Sequence, residues 1–362
     1  MGKGIIMKKY FDNIIFNLQT SGGGSVYWGE LINYFKNDPN SYFINPDIEI
    51  NNIVYNEIII DQSKIIKEKK IPLNILRFLP STLDISPESI FHSSYYRVSS
   101  NKGVKNVVTI HDFTTEKFGS GISKFVNHQQ KSFAVKKSNG IICISEKTKN
   151  DLFEFYRNYL KNKHIEVIYN GVSDDFYHVC DKEKIRKIYN FRADDKYILF
   201  IGHRTNYKNF DFAIEVIHHL PPSYKFIIIG NPLNKSELAL LEKVKNRYLY
   251  FGNLNNYDVN NLYNIAECLL YPSSYEGFGI PLIEAFKCGC PVIAQKLEVF
   301  DEISSGAALL IEGLDLIQFK NKILGLQNES FKLEYQELGF AQSNKFSWNT
   351  CMSRVDEFYK LI

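Results

Sequence analysis

The chain has 362 residues, of which 44% are hydrophobic and 23% are charged. This composition is typical of a soluble globular protein, and the length predicts two domains rather than one core. No run approaches the ~18 apolar residues of a membrane-spanning helix, and residues 1–9 lack the apolar core of a signal peptide. We therefore expect a cytoplasmic protein without a spanning helix.

The six cysteines stand at 143, 180, 268, 288, 290 and 351, without the spacing of a zinc site. This scatter favours a reduced compartment and predicts no metal site. The net charge of +3 is uneven, because residues 1–170 carry 22 Lys and Arg against 16 Asp and Glu, whereas residues 171–362 carry 21 against 24. The basic first half is compatible with an anionic membrane surface, and equally with a solvated lysine-rich face. We expect no nucleic acid partner.

Short apolar runs in the first half predict strands that lead into polar loops or helices. The first run, residues 14–18, precedes Gly22-Gly23-Gly24 and then a helical pattern over 26–35. Such a loop can present N–H groups to a phosphate, although a glycine run alone is weak evidence. Further strands are predicted at 57–60, 89–92, 106–110, 140–144 and 167–172. Ser145 follows one of them and is expected to cap a helix. The pattern favours a parallel sheet covered on both faces.

The second half alternates more regularly between strand and helix patterns. Strands are predicted at 197–202, 225–230, 249–252, 268–271 and 291–294. Helical patterns lie between them, at 210–217, 236–244, 257–265 and after residue 280. This alternation predicts a doubly wound α/β domain, whose ligands bind beyond the carboxyl ends of the strands.

Residues 275–284 form the most distinctive segment, in which Glu276 and Glu284 flank a turn-forming glycine pair and a proline suited to a first helical turn. The helix start at Gly279 and Ile280 offers free N–H groups and a favourable dipole to a phosphate. Glu284, one turn further in, can reach a sugar hydroxyl beside that phosphate, while Glu276 lies on the preceding loop. The segment therefore predicts a nucleotide-sugar site.

Two cations follow the predicted strand 197–202. Arg204 and Lys208 leave that strand within one loop, where they can clamp a diphosphate; the alternative is a pair of solvated cations on a turn. A departing diphosphate needs its developing charge neutralised. Since the sequence has no Asp-x-Asp metal motif, we expect this charge to be met by the two cations and the helix start, without a metal.

These motifs resemble the retaining glycosyltransferases of family 4, which have the GT-B fold and a signature of Glu, seven residues and Glu. The resemblance covers nearly the whole chain and is strongest over 197–300. It implies that Glu276, with Gly277 and Phe278, contacts the transferred sugar, and that Glu284 binds the ribose hydroxyls. The Arg and Lys spacing departs from the usual family form by one residue, which affects the expected contacts of Arg204.

The GT-B fold implies two Rossmann-like, doubly wound domains that face each other across a cleft. On this basis, residues 1–172 form the acceptor-binding domain and residues 173–345 the nucleotide-sugar-binding domain. Residues 346–362 form a helix that crosses back to the first domain.

The resemblance assigns further roles at the ends of strands. Gly23 and Gly24 are expected near the donor diphosphate, and His111 and Asp112 at the catalytic centre, where Asp112 orients the histidine or binds acceptor hydroxyls. His92 is a weaker acceptor-side candidate for which a structural role is equally open. The expected nucleobase pocket comprises Gly230, Asn231, Gly252 and Leu254.

The implied activity is transfer of a hexose, with retention, from a nucleotide diphosphate sugar to a saccharide or lipid-linked saccharide in polysaccharide or O-antigen-type assembly, with no cofactor. The cation loop is closest to the mannosyltransferase-like branch, which suggests GDP-mannose. A UDP- or dTDP-sugar donor, a nucleotide-sugar epimerase and a non-catalytic glycan-binding protein remain alternatives. A dehydrogenase is disfavoured because no G-x-G-x-x-G motif follows a strand.

Residues 121–137 mix apolar side chains with four lysines. The segment is either a helix on a membrane interface, where it would meet a lipid-linked acceptor, or a helix whose apolar face belongs to the core, which is the favoured alternative.

Overall fold

The computed structural model describes residues 7–362, which form two compact units. Unit 1 comprises the chain up to Asn170 together with Trp348–Ile362, and unit 2 comprises Gly171–Ser347. The sequence places the boundaries after residues 172 and 345. The prediction about a signal peptide was made on residues 1–9, and residues 1–6 of that segment lie outside the described residues.

Unit 1 contains a parallel sheet in the strand order β3-β2-β1-β4-β5-β6-β7. Its strands are β1 (Lys9–Asp12), β2 (Ser41–Pro46), β3 (Ile65–Glu68), β4 (Ile90–Ser93), β5 (Lys105–Ile110), β6 (Gly140–Cys143) and β7 (His164–Val167). The chain reverses its direction of travel across the sheet between β1 and β4. In sheets of this Rossmann-like type, the carboxyl ends of the strands at that switch point form the usual ligand-binding crevice.

Helices connect these strands, as parallel pairing requires. They are α1 (Ile15–Leu18), α2 (Gly23–Phe35), α3 (Ile53–Asn56), α4 (Leu73–Leu76), α5 (Thr114–Phe118), α6 (Gly121–Lys137) and α7 (Glu146–Tyr156), with 3-10 turns at Gln62–Lys64 and Arg157–Tyr159. The predicted cap of α7 is confirmed, since the Thr148 amide donates to Ser145 Oγ at 3.0 Å.

Two predicted strands of the first half are wrong. Residues 14–18 belong mainly to α1, and residues 57–60 form no strand, with Ile59 86% exposed. Short apolar runs do not distinguish a strand from a buried helical turn by periodicity. Strands β1, β2 and β3 were missing from the sequence prediction, and β7 lies earlier than the expected 167–172.

Unit 2 agrees closely with the predicted alternation. It has parallel strands β8 (Lys196–Ile201), β9 (Tyr224–Ile229), β10 (Tyr248–Phe251), β11 (Ala266–Tyr271), β12 (Val292–Gln295) and β13 (Leu309–Ile311). Its helices are α8 (Lys182–Tyr189), α9 (Phe210–His219), α10 (Lys235–Leu241), α11 (Asn256–Ile265), α12 (Ile280–Lys287), α13 (Glu298–Ser304), α14 (Leu316–Gly325) and α15 (Glu329–Ser343), with 3-10 turns at Asn206–Lys208 and Glu242–Val244. The strand order β10-β9-β8-β11-β12-β13 puts its switch point between β8 and β11.

The last helix, α16 (Trp348–Leu361), belongs to unit 1 and packs against α2. Its apolar side chains join the core formed by the sheet and α2, where Tyr359 lies within 6.3 Å of Phe11 and 5.8 Å of Phe35, measured between ring centroids. Among the helices of residues 7–362, none combines the length and the apolar character that crossing a membrane requires.

His92 is a core residue of unit 1, with no exposed surface. Its Nδ1 lies 2.5 Å from the Tyr359 hydroxyl and its Nε2 lies 3.0 Å from Thr109 Oγ1, so the ring links α16 to strands β4 and β5. Tyr27 extends this buried chain, with its hydroxyl 3.1 Å from Thr109 Oγ1. Of the two roles left open by the sequence, the structure supports the structural one.

Burial, assisted by the charge of His111, lowers the pKa of His92 from its ordinary 6.5 to about 3. The folded chain therefore holds this imidazole neutral. Because the pKa is lower in the folded state, its contribution to stability is fully present above pH 6.5 and is lost as the pH falls towards 3.

We expect His92→Phe to lower the free energy of unfolding by about 2 kcal/mol at pH 7, because Tyr359 and Thr109 would keep buried hydroxyls without this partner. The variant should also lose part of the wild type's acid sensitivity below pH 6.5. Urea unfolding at a series of pH values measures both effects, with His164→Phe on the exposed start of β7 as control. Identical pH profiles for wild type and His92→Phe would contradict the assignment.

Candidate active site

Two loops meet at the switch point of unit 2, because β8 and β11 are neighbours and both end at the same edge of the sheet. Asn209, which ends the first loop, has a left-handed φ of 50°. Its amide donates to Pro272 O and to Ser274 Oγ, each at 2.7 Å, and the Ser274 amide donates to Tyr207 O at 2.7 Å. These bonds fix the loop after β8 against the loop after β11.

The structure brings Lys208 and Glu276 together across these two loops. Lys208 Nζ forms an ion pair and a hydrogen bond with Glu276 Oε1, and both side chains are only 12% exposed. Nζ also lies 5.2 Å from the ring centroid of Tyr271, the last residue of β11. A cation and a carboxylate are thus held side by side where the crevice of such a sheet binds ligands.

Arg204, the second expected diphosphate ligand of this loop, has contacts of its own within unit 2. Its Nε donates to Glu237 Oε1 at 2.9 Å, and its Nη2 donates to the carbonyl oxygens of Asn231 and Pro232 at 2.5 and 3.0 Å. The side chain is 3% exposed and stacks over Phe210. Arg204 thus ties the loop after β8 to α10, while its Nη1 is buried and has no hydrogen-bond partner among the described residues.

Helix α12 begins directly after the loop that carries Glu276. Gly279 adopts φ 92°, and a Cβ there would lie 2.8 Å from Phe300 Cε1, so both the turn and the packing require glycine. The proline in the first turn of α12 is confirmed, and Ile280 is the first helical residue. Gly277 and Phe278 are buried, and the Phe278 ring packs edge-on against Phe346 at 5.9 Å. The Phe278 side chain therefore belongs to the packing of unit 2.

Glu284 sits one turn into α12 and is partly buried. The Tyr263 hydroxyl on α11 donates to Glu284 Oε2 at 3.0 Å. Burial raises the pKa of Glu284 from 4.5 to about 7, and the Tyr263 hydrogen bond offsets only part of that rise. Near neutral pH this carboxyl group therefore changes between its protonated and ionised forms.

The loops after β9 and β10 extend the same edge of the sheet. Gly230 has φ 135°, and a Cβ there would lie 2.7 Å from Gly202 O. The Asn231 amide lies 2.9 Å from His203 Nδ1, and the Gly230 carbonyl accepts from the Tyr250 hydroxyl at 3.0 Å. Gly252 and Leu254 follow β10 and are partly buried. Gly230 and Asn231 thus lie on the loop next to the one that carries Lys208, and Gly252 and Leu254 lie one strand further along the same edge.

In unit 1, His111 and Asp112 follow β5 directly. The His111 ring is partly buried, lies edge-on to Tyr27 at 5.0 Å, and has its pKa lowered from 6.5 to about 4, chiefly by burial. Asp112 Oδ1 accepts from the Thr114 amide at 2.9 Å, and the Asp112 carbonyl accepts from Lys131 Nζ. His111 is thus neutral near pH 7, able to donate and accept one hydrogen bond each, while Asp112 shapes the start of α5.

Gly23 and Gly24 are the first two residues of α2 and do not lie in a loop after a strand. The Gly22 carbonyl accepts from the Val26 amide at 3.0 Å and from Ser25 Oγ at 2.9 Å. The backbone amides of Gly23 and Gly24 lie at the start of this 13-residue helix, where an anion is favoured.

Several residues of the site were missed from the sequence: Asn209, Tyr263, Glu237 and His203. Asn209 could have been found, because asparagine tolerates left-handed backbone at a turn. The partners of Arg204 and Glu284 come from other helices and leave no local signal. Within residues 7–362, no group of three or more His, Cys, Asp or Glu side chains is arranged to hold a metal ion.

Comparison with known proteins identifies the family. The family described as Glycosyl transferases group 1 matches residues 181–313, and Glycosyltransferase Family 4 matches residues 73–176. The first match lies within unit 2 and the second almost entirely within unit 1, so the chain carries a domain of each of these two glycosyltransferase families.

Individual relatives agree with this family. An uncharacterized glycosyltransferase of Methanocaldococcus jannaschii is 31% identical over 231 residues, covering 63% of this chain and 61% of that protein. The O-antigen chain mannosyltransferase RfbU of Salmonella typhimurium is 26% identical, covering 61% of this chain and 60% of that protein. The chain thus matches less than two thirds of the length of these relatives.

Solved structures share the fold over nearly the whole chain. HepE of Anabaena, in complex with UDP and glucose, has a TM-score of 0.76 at 15% identity and covers 99% of this chain and 100% of that chain. WaaG, a glycosyltransferase involved in lipopolysaccharide biosynthesis, has a TM-score of 0.70 at 15% identity and covers 96% of this chain and 98% of that chain. The predicted GT-B fold, with two Rossmann-like units, is confirmed.

Gly230→Ala should lower the free energy of unfolding by about 3 kcal/mol, because the new methyl group meets Gly202 O in a backbone region nearly exclusive to glycine. Gly313→Ala is the control, since Gly313 also has a positive φ but has no atom within 4 Å of a Cβ. The control should lose about 1 kcal/mol. Equal losses in chemical denaturation would show that the contact with the loop after β8 does not matter.

Proposed function

We propose that this protein is a retaining glycosyltransferase that moves a hexose from a nucleotide diphosphate sugar to a saccharide or lipid-linked saccharide. The observation that carries the proposal is the Lys208–Glu276 pair at the unit 2 switch point, beside the start of α12. The family relationship supports the same reaction class.

The proposed base and sugar of the donor are inferred from the names of the relatives. RfbU of Salmonella typhimurium and a relative from Escherichia coli are both named O-antigen chain mannosyltransferases. These names favour mannose, donated by GDP-mannose, in polysaccharide or O-antigen-type assembly. HepE is a fold neighbour in complex with UDP and glucose, so UDP-sugars, together with dTDP-sugars, are the competing donors.

In unit 2, cationic and N–H groups bind the diphosphate, and carboxylates bind hydroxyl groups. Lys208 and the amides of Gly279 and Ile280 meet the diphosphate, and Glu284 accepts hydrogen bonds from the ribose hydroxyls. A diphosphate would draw Lys208 away from Glu276, which frees that carboxylate to accept from hydroxyls of the transferred sugar. Arg204 holds the loop in place through Glu237.

Transfer then forms one bond and breaks another on the same face of the sugar. The acceptor oxygen bonds to the anomeric carbon, the bond from that carbon to the diphosphate oxygen breaks, and the hydroxyl proton passes to the diphosphate. Negative charge grows on the departing diphosphate, where Lys208 and the helix start stabilise it. No metal ion is required in this scheme, so activity should persist in EDTA.

In unit 1, we propose that neutral His111 exchanges hydrogen bonds with sugar hydroxyls. Asp112 keeps its capping contact with Thr114 and so fixes the backbone that carries His111. Gly23 and Gly24 offer helix-start amides for a further anionic or hydroxyl contact.

A thermal-shift panel of GDP-, UDP- and dTDP-sugars tests the proposal first. Binding to the folded state raises the midpoint by mass action, and a 100-fold excess over Kd stabilises by about 2.7 kcal/mol. We expect GDP-mannose to give the largest shift. A larger shift with a UDP-sugar would revise only the proposed donor. The absence of a shift with every nucleotide sugar would contradict the proposed function.

Glu276→Gln should lower the turnover number for sugar transfer by about 100-fold, because a carboxylate that interacts with the reacting sugar becomes a neutral amide. Glu334→Gln, on the exposed surface of α15, is the matched control. Product analysis by mass spectrometry separates transfer from epimerisation, which gives no saccharide product. Unchanged transfer in Glu276→Gln would exclude its role, and a wild type that binds donor without turnover would indicate a glycan-binding protein.

Nucleotide affinity should rise with pH through about 7, because only the ionised form of Glu284 accepts two ribose hydrogen bonds. Between pH 6 and 8 the ionised fraction of a group with this pKa rises about tenfold, and the affinity should follow. Calorimetry of nucleoside diphosphate binding measures this change. Glu284→Gln should bind weakly with little pH dependence, and a wild type with no pH dependence would contradict the ribose role.

A further inference from the structure

Tyr263, on α11, has a hydroxyl group with two acceptors at the start of α12. The side chain has no exposed surface, and its hydroxyl lies 3.0 Å from Glu284 Oε2 and 3.3 Å from the Pro281 carbonyl oxygen. A phenol carries one proton to donate, so the two acceptors compete for it. Because a hydrogen bond to a charged acceptor is stronger, the proton is drawn to Glu284 when this carboxyl group is ionised.

The ring and the proton of Tyr263 are both held in place. The ring packs edge-on against Phe176, with 6.0 Å between the centroids. Burial, and next the charge of Glu284, raise the pKa of Tyr263 well above its ordinary 10. The hydroxyl therefore keeps its proton over the whole pH range in which Glu284 titrates, and its donation stabilises the ionised form of that group more than the neutral form.

Tyr263 acts on Glu284 without the help of a cation. Within residues 7–362, this hydroxyl is the only hydrogen-bond partner of the Glu284 carboxyl group, and it contacts Oε2 alone. Lys287, three residues further along α12, binds Asp174 Oδ1 at 2.6 Å instead. Oε1 of Glu284 is thus left for a ligand, and the Tyr263 hydrogen bond is what lowers the pKa of the carboxyl group against the effect of burial.

The other titratable groups around Glu284 are neutral or paired. Burial raises the pKa of the Cys288 thiol, one turn further along α12, and of the Tyr271 hydroxyl at the end of β11, so neither is charged near pH 7. Asp258, the acid of α11, accepts from a tyrosine of α8. Strand β12 has no titratable side chain, and α15 packs against Phe286 on another side of α12. The ion pair of the two switch-point loops carries no net charge.

We propose that Tyr263 is a positioning residue for the nucleotide, whose hydroxyl favours the ionised Glu284 and so controls the release of a proton when the ribose binds. When the ribose hydroxyls donate to Oε1, the carboxyl proton of the neutral form passes to solvent and Tyr263 donates to Oε2. This role of Tyr263 rests on the ribose contact proposed above, and it adds the residue that sets the pH at which that contact is available.

Tyr263→Phe removes the hydroxyl and keeps the ring. We expect the midpoint of the pH profile of nucleotide affinity to move up by about one pH unit, because a hydrogen bond to a charged group has about that value. The Kd for the nucleoside diphosphate that binds, chosen from GDP, UDP and dTDP, should rise about fivefold at pH 7 and less than about twofold at pH 9. A merely structural role would weaken binding alike at both pH values.

Calorimetry in buffers of different ionisation enthalpy counts the protons released per nucleotide bound. Glu284→Gln gives the baseline, which contains the protons of the diphosphate itself. Above this baseline the wild type should release about half a proton at pH 7, since Glu284 is then about half ionised. Tyr263→Phe should release about 0.9 of a proton, because more of its Glu284 starts in the neutral form.

Tyr224→Phe is the matched control. Tyr224 is also fully buried, at the start of β9, and its hydroxyl accepts from Gln327 Nε2 at 2.9 Å. This variant should keep the midpoint of the wild type. A 3-fluorotyrosine at position 263 keeps the hydroxyl and makes it a stronger donor, so the midpoint should move to lower pH. It replaces Tyr263→Phe if thermal unfolding shows that Tyr263→Phe is not folded.

The outcomes separate the role of Tyr263 from the proposed function. The same midpoint in the wild type and Tyr263→Phe, an equal loss of affinity at pH 7 and pH 9, or an unchanged midpoint with 3-fluorotyrosine would overturn the role of Tyr263 while nucleotide binding stands. If the wild type binds none of the three nucleoside diphosphates, the proposed function fails, and the role of Tyr263 fails with it.

Discussion

The ion pair between Lys208 and Glu276 is the interaction on which the site of unit 2 depends. Strand order puts β8 beside β11, and Asn209 fastens the loop after one to the loop after the other. The pair then holds a cation and a carboxylate in one crevice with little exposure. Such a pair has low net value for stability, which fits a pair whose partners are exchanged when an anionic ligand arrives.

Burial sets the protonation of the neighbouring titratable groups, and an ion pair fixes Arg204. Glu284 is pushed towards its neutral form by the apolar surroundings of α12. Arg204 is held by Glu237 and two carbonyl groups, so it stiffens the loop that carries Lys208. In unit 1, burial keeps both His92 and His111 neutral near pH 7, but only His111 retains exposed surface. The two histidines therefore have different uses despite similar shifts in pKa.

The sequence predicts unit 2 better than unit 1 for a physical reason. Strands β8 and β9 end in continuous apolar runs, 197–201 and 226–229, each followed by a glycine, as expected for strands buried on both faces. In unit 1, the apolar run at 14–18 folds as a helical turn, and β2 carries Asn45 and Pro46 within the strand. Local pattern cannot separate these cases, because tertiary packing decides them.

The same limit applies to the site. The pair of glutamates and Lys208 could be predicted, since each lies in a segment with its own local signature. The commitment of Arg204 to Glu237 could not, because the two residues are 33 positions apart and meet only through α10. The exposure of Ile122, Phe125 and Phe133 on α6, beside the buried Ala134 and Val135, also depends on which side of that helix the rest of unit 1 covers. Periodicity gives the stripe and not its orientation.

Hydrogen exchange measured by mass spectrometry, with and without nucleoside diphosphate, tests the central claim most directly. If the loops at the unit 2 switch point form the donor site, peptides that cover residues 203–209 and 272–284 gain protection, and those at 230–231 and 252–254 gain it when the base is correct. Protection confined to other parts of the chain, with bound nucleotide verified, would contradict the account.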